Sequence, residues 1–378
     1  MANKNFYEEV EKTPAVTVII PMYNAEKYIG ACLESILNQT FQNFDVVVVN
    51  DCSTDNSVTE AEKFLPKLKG RLKIKTLTKN SGASAVPKNT GIQMARGKYV
   101  TFLDSDDYIT PTALEELFKI AEETDAEVIH CSSYFTFRDG ETEIKKETFQ
   151  KTCHVNKPTL ETSDIGKRVK KFTERGFLWW GCNKLIRRDF LIKNKIIFPQ
   201  IDVWEDMFFA FQCVILAKNY VRVPNVFYYY RVRKDSLSHI PQRPLRIIEM
   251  LMQIINYLDD FISRVEFFQK NPQYRFMILD WHIQERMNII CTAFFENSKL
   301  QPFQIEEIFR KKFENAISKE DLPFSAYFFT VAAYQRFCLY NMTQEKNQLQ
   351  QKISDLEMNL AKYKVNSFSN EILPTEPK

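Results

Sequence analysis

The chain has 378 residues, of which 44% are hydrophobic and 26% are charged, and its formal net charge is +3. This is the composition of an ordinary globular protein of about two to three domains, and a net charge this small gives no support to nucleic-acid binding. No stretch reaches the ~18 apolar residues of a membrane span, and the polar N-terminal segment lacks the apolar core of a signal peptide. We therefore expect a cytoplasmic protein, which could also associate peripherally with the inner face of the cell membrane.

The eight cysteines are scattered singly along the chain, without a C-x-x-C pair. A metal site or a disulfide framework would place cysteines at short, paired spacings. Isolated thiols are typical of buried side chains in a reducing compartment. We predict that the cysteines are free.

Short β-branched runs alternate with segments of helical periodicity in the first part of the chain. The predicted strands are VTVII (16–20), FDVVVVND (44–51), LKIKTLT (72–78) and KYVTFLD (98–104), and predicted helices follow the first three at 24–39, 53–65 and 83–95. Strands that are apolar on both faces, each followed by a helix, indicate a parallel sheet covered on both sides. We predict an α/β fold whose ligands bind at the carboxyl ends of the strands.

Candidate ligand-binding residues follow each predicted strand and should meet at one edge of the sheet. They are Pro21, Tyr23, Asn24, Asn50, Asp51, Asn80, Asp104, Ser105, Asp106 and Asp107. The glycine motifs of dinucleotide-binding and P-loop proteins do not occur in the sequence, which argues against those chemistries. Clustered carboxylates repel one another and suit a hard cation such as Mg²⁺ or Mn²⁺, which can bridge a diphosphate. The alternative is a plain turn that caps the following helix.

Four segments of the chain, in this order, resemble the inverting glycosyltransferases of family two, which have the GT-A fold. They are VIIPMYNAEKYIGACLESILNQT, VVVNDCSTDNS, NSGASAVPKNTGIQMARGKYVTFLDSDD and WEDMFF. The resemblance implies transfer of a sugar from a nucleotide diphosphate sugar, with a UDP-sugar as the expected donor. The implied acceptor is a glycan, glycolipid or polyol-phosphate in cell-surface polymer synthesis. Inversion at the anomeric carbon and a divalent cation, Mn²⁺ or Mg²⁺, are also implied.

The resemblance further implies which residues bind the donor and the cation. The donor-binding residues are Pro21, Tyr23, Asn24, Asp51, Asn80, Lys88, Asp104, Ser105, Arg231 and Arg233. Tyr23 is expected near the base, and Asp51 is expected to accept a hydrogen bond from it. Asp104 and Asp106 match the family's D-x-D motif and are the expected metal ligands. His239 is expected to complete the metal shell, unless its role is local and structural.

Two cationic segments are candidates for contact with the phosphates. Lys88, in SAVPKN, stands where relatives often carry arginine, so it would supply charge without a planar fork. Arg231, Arg233 and Lys234 lie in FYYYRVRKDSLSH (227–239), which resembles a strand followed by a loop that closes over the diphosphate.

The segment IDVWEDMFFAFQ (201–212) resembles the family's second chemical centre, which implies that Asp206 is the general base. A direct displacement at an anomeric carbon needs a base on the face opposite the departing diphosphate. Glu205 is expected to contact the acceptor or to support Asp206, unless it is only an acid at a helix N-terminus. Trp204 is expected either to stack on a sugar ring or to pack in the core.

The segment FLWWGCNKLIRRDFL (177–191) resembles the part of relatives that reads NKL on the acceptor side. Trp180, Asn183 and Lys184 are therefore expected to bind the acceptor. For Trp179 and Trp180, a platform for the acceptor and a place in the core are both open. The polar stretch between residues 134 and 175 matches no motif of the family.

The sequence predicts a division of the chain near residue 240. The predicted parts are a GT-A domain at 1–240, with nucleotide-sugar binding at 15–107 and the acceptor side at 108–240, a helical domain at 241–342, and a short coiled coil and tail at 343–378.

The last part contains a short heptad pattern. Its apolar residues, at alternating spacings of four and three, are Leu349, Ile353, Leu356, Leu360 and Tyr363. Two interpretations are open, a homo-oligomer formed through this segment or a terminal helix packed on its own domain.

Two other functions are compatible with part of the pattern. A nucleotidyltransferase can share a nucleotide-binding α/β domain and an aspartate pair, but it should carry a basic, glycine-rich loop where this chain reads PMYNAEKYI. An inactive scaffold that assembles through its helical tail would have no reason to keep Asp104, Asp106 and Asp206. We therefore expect an active, metal-dependent glycosyltransferase.

Overall fold

The computed structural model of the chain describes residues 13–139, 144–148, 153–233, 244–315 and 317–370. As far as it is described, the chain divides into two compact units. The first comprises Met1–Pro241 and Met250–Trp281, and the second comprises Gln242–Glu249 and His282–Lys378.

An eight-stranded mixed sheet forms the centre of the first unit. Its strands, in spatial order, are β3 (Leu72–Thr76), β2 (Phe44–Asn50), β1 (Val16–Met22), β4 (Tyr99–Phe102), β10 (Lys184–Arg187), β6 (Val128–Cys131), β11 (Tyr220–Val223) and β9 (Thr159–Leu160). The first four are parallel to one another, while β10 is antiparallel to both of its neighbours. The four predicted strands form the parallel half, and the predicted α/β fold is confirmed.

Helices cover both faces of this sheet. They are α1 (Ile29–Leu37), α2 (Ser57–Glu62), α3 (Ala85–Met94), α4 (Ala113–Glu123), α5 (Ile165–Thr173), α6 (Arg188–Lys193) and α7 (Glu205–Leu216). Because side chains alternate across a strand, Val18 and Ile20 join one buried cluster with α1 and α4, while Ile19 joins another with α3 and α7. Burial on both faces explains why β1 is a continuous apolar run.

A second sheet begins directly after the aspartate run of residues 104–107. Its four strands, in spatial order, are β5 (Tyr108–Ile109), β12 (Tyr228–Arg231), β7 (Ser133–Phe137) and β8 (Lys145–Thr148). β12 is antiparallel to β5 and parallel to β7. This pairing brings the end of β12 against the aspartate run, where the Arg231 amide donates a 2.7 Å hydrogen bond to Asp107.

The described chain after residue 243 is helical. It contains α8 (Pro244–Arg264), α9 (Glu266–Lys270), α10 (Pro272–Cys291), a π-helical turn (Thr292–Asn297), α11 (Pro302–Phe313) and α12 (Leu322–Asn370). The boundaries between the compact units fall after Pro241, within α8 and within α10. Ile254, Leu258 and Ile262 of α8 lie in the same buried cluster as α7. Periodicity identifies the apolar stripe of α8 but not the surface on which it packs.

Helix α12 joins two segments that the sequence suggested as separate, because its 49 residues run through both the last predicted helix and the heptad pattern.

A helix that combines the length and the apolar content of a membrane span does not occur in the part of the chain that the structure describes. All eight cysteines are free thiols, as predicted, and six of them are buried.

Candidate active site

A cleft of about 590 Å³ lies at the carboxyl ends of β1, β2 and β4. Fourteen of the candidate residues named from the sequence line it, namely Pro21, Tyr23, Asn24, Asp51, Asn80, Lys88, Asp104, Ser105, Asp106, Asp107, Trp180, Glu205, Asp206 and Arg233. The parallel strands bring their own end residues to this edge, as expected for such a sheet. Two helices also contribute to the lining. Lys88 lies on α3, and Glu205 and Asp206 lie on the first turn of α7.

Asn24 and Asp51 fix the loops that follow β1 and β2. Asn24 has a φ of 47°, a left-handed conformation that asparagine tolerates, and its Oδ1 accepts a hydrogen bond from the Thr54 amide at 2.8 Å. The Asp51 carboxylate accepts hydrogen bonds from the Ser81 amide (2.9 Å) and hydroxyl (2.8 Å). The side-chain amide of Asn80 donates to the Asp51 carbonyl oxygen at 2.9 Å. Carboxylate oxygens accept more than one hydrogen bond, so this geometry is compatible with a further donor on Asp51.

The aspartate run divides into two environments. Asp107 is buried, and its carboxylate accepts 2.7 Å hydrogen bonds from the Tyr228 hydroxyl and the Arg231 amide. Asp104 and Asp106 line the cleft with their side chains partly accessible. Asp107 therefore anchors β12 at the border of the cleft, and Asp104 and Asp106 are the more accessible carboxylates of the run.

The two arginines at the end of β12 have different partners. Arg233 Nη2 lies 2.6 Å from Asp106 Oδ2, and its guanidinium stands over the ring of Tyr28 at 4.9 Å from the ring centre. Arg231 is buried, donates its Nε hydrogen to the Asp106 carbonyl oxygen at 2.7 Å and forms an ion pair with Asp139. Arg231 thus holds the aspartate run in place and does not line the cleft, which differs from the donor contact expected for it.

Lys88, Glu205 and Asp206 form an ion cluster at the N-terminus of α7. Lys88 Nζ lies 2.8 Å from Asp206 Oδ1 and 3.5 Å from Glu205 Oε1, and the Ser84 hydroxyl donates to Glu205 Oε1 at 2.7 Å. The Lys88 side chain is 5% exposed, whereas that of Asp206 is 26% exposed. Trp204, with a φ of 73°, makes the turn into α7, and a left-handed tryptophan is a strained conformation. The strained turn sets the two acids at the first positions of the helix.

The charges of the cleft shift several pKa values. Burial raises the pKa of Asp104 to about 6, with Lys88 opposing the rise and the neighbouring carboxylates adding to it. Burial also raises the pKa of Glu205. Burial alone would lower the pKa of the Lys88 ammonium, but the surrounding carboxylates outweigh it and raise that pKa. Lys88 therefore stays protonated, and the described lining carries more carboxylates than cations.

Trp180 presents an aromatic surface in the cleft beside Asp206. The centre of its ring system lies 5.3 Å from that of Tyr230 and 4.6 Å from that of Tyr134. A Cβ atom added to Gly181 would lie 3.4 Å from Asp206 Oδ1, so the backbone that follows Trp180 passes directly beside the carboxylate. An aromatic face next to a carboxylate is suited to a sugar ring whose hydroxyl points at the acid.

Other predicted residues lie away from the cleft. Asn183 and Lys184 are fully buried, and the Lys184 ammonium donates to two backbone carbonyl oxygens. Trp204 packs against the buried cluster that contains α7, and Trp179 packs its ring system near that of Trp281 in the same cluster. The acceptor contacts expected for Asn183, Lys184 and Trp204 therefore do not fit their positions, because these side chains belong to the core around β10 and α7.

Two predicted residues cannot be placed. His239 and Lys234 lie outside the described residues.

Some residues that line the cleft were missed by the sequence reasoning. They include Tyr28, Ser84, Cys182 and Tyr230. Tyr28 and Ser84 directly precede α1 and α3, inside segments that resemble the family but at positions for which no role was expected. Tyr230 had a detectable signal, because it lies in FYYYRVRKDSLSH, the segment whose resemblance placed Arg231 and Arg233 at the diphosphate.

Asp104 and Asp106 fit a hard divalent cation. Mg²⁺ and Mn²⁺ favour carboxylate oxygens, and Mg²⁺ is commonly held by one or two carboxylates together with phosphate oxygens. Burial and, to a smaller extent, the neighbouring carboxylates raise the pKa of Asp104, and a bound cation would offset both effects. Within the described ranges, no group of three His, Cys, Asp or Glu side chains could hold a metal ion. The two carboxylates would therefore be the described protein ligands of such an ion.

The fold and the acidic cleft together define a GT-A protein. The crystal structure of residues 1–349 of TarS from Staphylococcus aureus, in complex with UDP-GlcNAc, matches this fold with a TM-score of 0.64 at 22% identity, over 87% of this chain and 92% of that one. The family model described as "Glycosyl transferase family 2" matches residues 17–194. YibD of Escherichia coli, named as an uncharacterized glycosyltransferase, is 31% identical over 277 residues, which are 69% of this chain and 77% of YibD. The chain belongs to glycosyltransferase family 2, as its motifs predicted.

Other relatives match over a smaller share of their length. EpsH of Bacillus subtilis is 34% identical over 241 residues, and the match spans 62% of this chain and 65% of EpsH. TarS, named poly(ribitol-phosphate) beta-N-acetylglucosaminyltransferase, is 30% identical over 223 residues, or 36% of its own length. The chain thus spans less than two thirds of these two proteins.

Proposed function

We propose that this chain transfers a sugar from a UDP-sugar to a glycan, glycolipid or polyol-phosphate acceptor in cell-surface polymer synthesis, with inversion at the anomeric carbon. Family membership supports the reaction class. The names of TarS and of its complex with UDP-GlcNAc support the classes of donor and acceptor. The observation that carries the proposal is that Asp206 and the two aspartates Asp104 and Asp106 line one cleft.

Asp206 is the proposed general base. Its carboxylate takes the proton from the acceptor hydroxyl, whose oxygen forms the new bond to the anomeric carbon of the donor. The bond between that carbon and the diphosphate breaks, and the diphosphate leaves with the electron pair. Attack on the face opposite the leaving group inverts the configuration. Glu205 is more buried than Asp206 and is hydrogen-bonded to Ser84, so its proposed role is to hold Lys88.

The donor is proposed to lie along the strand ends. Its nucleoside would contact residues of the loops after β1, β2 and β3, namely Pro21, Tyr23, Asn24, Asp51 and Asn80. Asp104 and Asp106 would hold a Mn²⁺ or Mg²⁺ ion, which when bound neutralises charge on the departing diphosphate. Arg233 is the proposed phosphate contact, because a guanidinium that pairs with Asp106 in this cleft also suits a phosphate oxygen.

The acceptor is proposed to lie on Trp180 and Tyr230. Both rings line the cleft, and the chain next to Trp180 runs beside Asp206. A sugar ring stacked there would keep its hydroxyls close to the base.

The experiment that tests this proposal is a donor screen followed by one substitution. A panel of nucleotide sugars, with and without Mn²⁺, identifies the donor by release of its nucleotide diphosphate. For Asp206→Asn we expect binding of that nucleotide diphosphate with Mn²⁺ to persist, while transfer falls by roughly 10² to 10⁴, the usual contribution of a positioned base. Asp189→Asn, which changes an exposed acid on α6, is the control and should keep full activity. Transfer by Asp206→Asn within a few-fold of the parent would rule out Asp206 as the base and make Glu205 the next residue to test.

A further inference from the structure

Helix α12 carries a continuous row of exposed side chains along one face. From Leu339 onward, residues at alternating spacings of three and four form a seam, which consists of Leu339, Met342, Lys346, Leu349, Ile353, Leu356 and Leu360. Every one of these side chains is exposed, and the exposed fraction reaches 68% at Leu356. Tyr363 continues the spacing, although its side chain lies outside the described ones. Within the described part of the chain, nothing covers the six apolar members of this seam.

The surroundings of the seam are polar. Between Gln344 and Asn359 the residues outside the seam are polar or charged, with Met358 as the exception. A helix in water gains most of its stability from burying an apolar face against a partner. The seam is the face of this segment that can do so.

The unbroken helix fixes a single heptad register. In this register Leu339, Lys346, Ile353 and Leu360 occupy the first core position, called a, and Met342, Leu349 and Leu356 occupy the second, called d. Ile353 at a with leucine at d is the combination that favours two parallel strands, and Lys346, as a lysine at a single a position, restricts register and strand number, while the other two a positions carry leucine. The heptad that begins at Ile353 therefore favours a two-stranded, parallel partner.

The charges beside the seam complement a second copy of the same helix. Lys352 occupies position g, and Glu357 occupies position e of the next heptad, five residues further on. In a parallel, in-register pair, position g of one helix faces position e of the following heptad on the other. Two symmetry-related pairs of Lys352 and Glu357 would therefore flank Ile353 and Leu356.

We propose that the seam of α12 binds the same seam of a second copy of this chain, and that the two helices form a parallel coiled coil. The pairing buries the six apolar members of the seam in both chains. It also places opposite charges, not like charges, on either side of the core.

Light scattering on the full chain tests the partner. We expect a particle of twice the chain mass of 44.6 kDa. The double substitution Leu349→Ser and Leu356→Ser should give a monomer. Met358→Ser is the matched control, because Met358 is 53% exposed on the same helix but lies off the seam, and this variant should remain a dimer. A monomeric parent, a trimer, or a seam variant that stays dimeric would overturn the proposal.

A charge exchange tests the orientation. Lys352→Glu and Glu357→Lys, each alone, should weaken the dimer because they place like charges opposite one another, as a higher dissociation constant in sedimentation equilibrium would show. The double variant should restore the dissociation constant of the parent. If the two changes together weaken the dimer as much as their sum, the parallel register is wrong.

Discussion

Asp104→Asn is expected to stabilise the ligand-free protein at neutral pH, although it removes a proposed metal ligand. Burial raises the pKa of Asp104 from 3.8 to about 6, so the folded chain binds this proton more tightly than the unfolded chain does. A carboxyl group of this kind has no effect on stability when it is protonated in both states, at low pH. As the pH rises towards 6 it increasingly favours the unfolded chain, and above that the effect is complete. The difference between the two pKa values corresponds to at most about 3 kcal/mol.

Replacing the Asp104 carboxylate with an asparagine amide should remove few stabilising interactions. The hydrogen bond that Asp104 accepts from the Tyr228 hydroxyl is long, at 3.4 Å. A gain of about 3 kcal/mol would raise the Tm of a unit of this size by about 6 to 12 °C. All four tryptophans lie in the first compact unit, so thermal unfolding followed by their fluorescence reports on the unit that contains the cleft.

The comparison should be made at about pH 8 and at about pH 4, where the advantage of the asparagine should be much smaller because the folded chain then holds the proton and the unfolded chain holds it in about half of the molecules. Asp189→Asn provides the control for the change in formal charge, since its side chain is 67% exposed, and its Tm should stay close to that of the parent. UDP with Mn²⁺ should raise the Tm of the parent but not that of Asp104→Asn. The reasoning is refuted if Asp104→Asn is less stable than the parent at about pH 8, or if its advantage is as large at about pH 4.

Two further predictions concern the charges of the cleft. Asp106→Ala should abolish Mn²⁺-dependent binding of the nucleotide diphosphate in calorimetry, because one remaining carboxylate holds a hard cation poorly against water, and unchanged affinity would remove Asp106 from the metal site. Lys88→Met should destabilise the first unit by about 3 to 5 kcal/mol in urea unfolding, because it leaves buried carboxylates without their cation. Lys88→Arg keeps the charge and should lose less stability, and a Lys88→Met variant as stable as the parent would contradict the assigned pairing.

The parallel half of the large sheet could be predicted from the sequence almost strand by strand. β1, β2 and β4 are largely apolar, buried runs, β3 alternates apolar residues with lysine, and a helix follows the first three strands of the chain. The other half, in which β10 is antiparallel to both neighbours while β6 and β11 are parallel to each other, could not be predicted in this way. β6, β10 and β11 are four residues long, too short for alternation to be informative, and their pairing joins segments far apart in the chain. The family motifs located many of the cleft residues and β4, but no motif covers β6, the other partner of β10.

The sequence could not tell which of two similar residues, close together in the chain, would reach the cleft. Trp179 packs in the core and Trp180 lines the cleft, because the backbone at Trp180 is extended (φ −57°, ψ 131°) and successive side chains of an extended chain point to opposite sides. Arg231 and Arg233 are two positions apart and would share a face of a strand, but β12 ends at Arg231. Beyond that point the alternation no longer applies, so one guanidinium is buried against the aspartate run and the other reaches the cleft.

Lys88 shows how the choice of partner depends on the whole fold. Its motif suggested a phosphate contact, but α7 brings two acids to its ammonium, and the ring of Phe198 lies 4.9 Å from Nζ. A compact ammonium fits between these groups, whereas a planar guanidinium would need a wider fork. Because the ammonium is bound to Oδ1 of Asp206, it fixes the orientation of the carboxylate that is proposed to take the acceptor's proton. The sequence predicted that Lys88 contacts the diphosphate, which is the leaving group. In this geometry Lys88 instead binds Asp206, the residue proposed to deprotonate the acceptor.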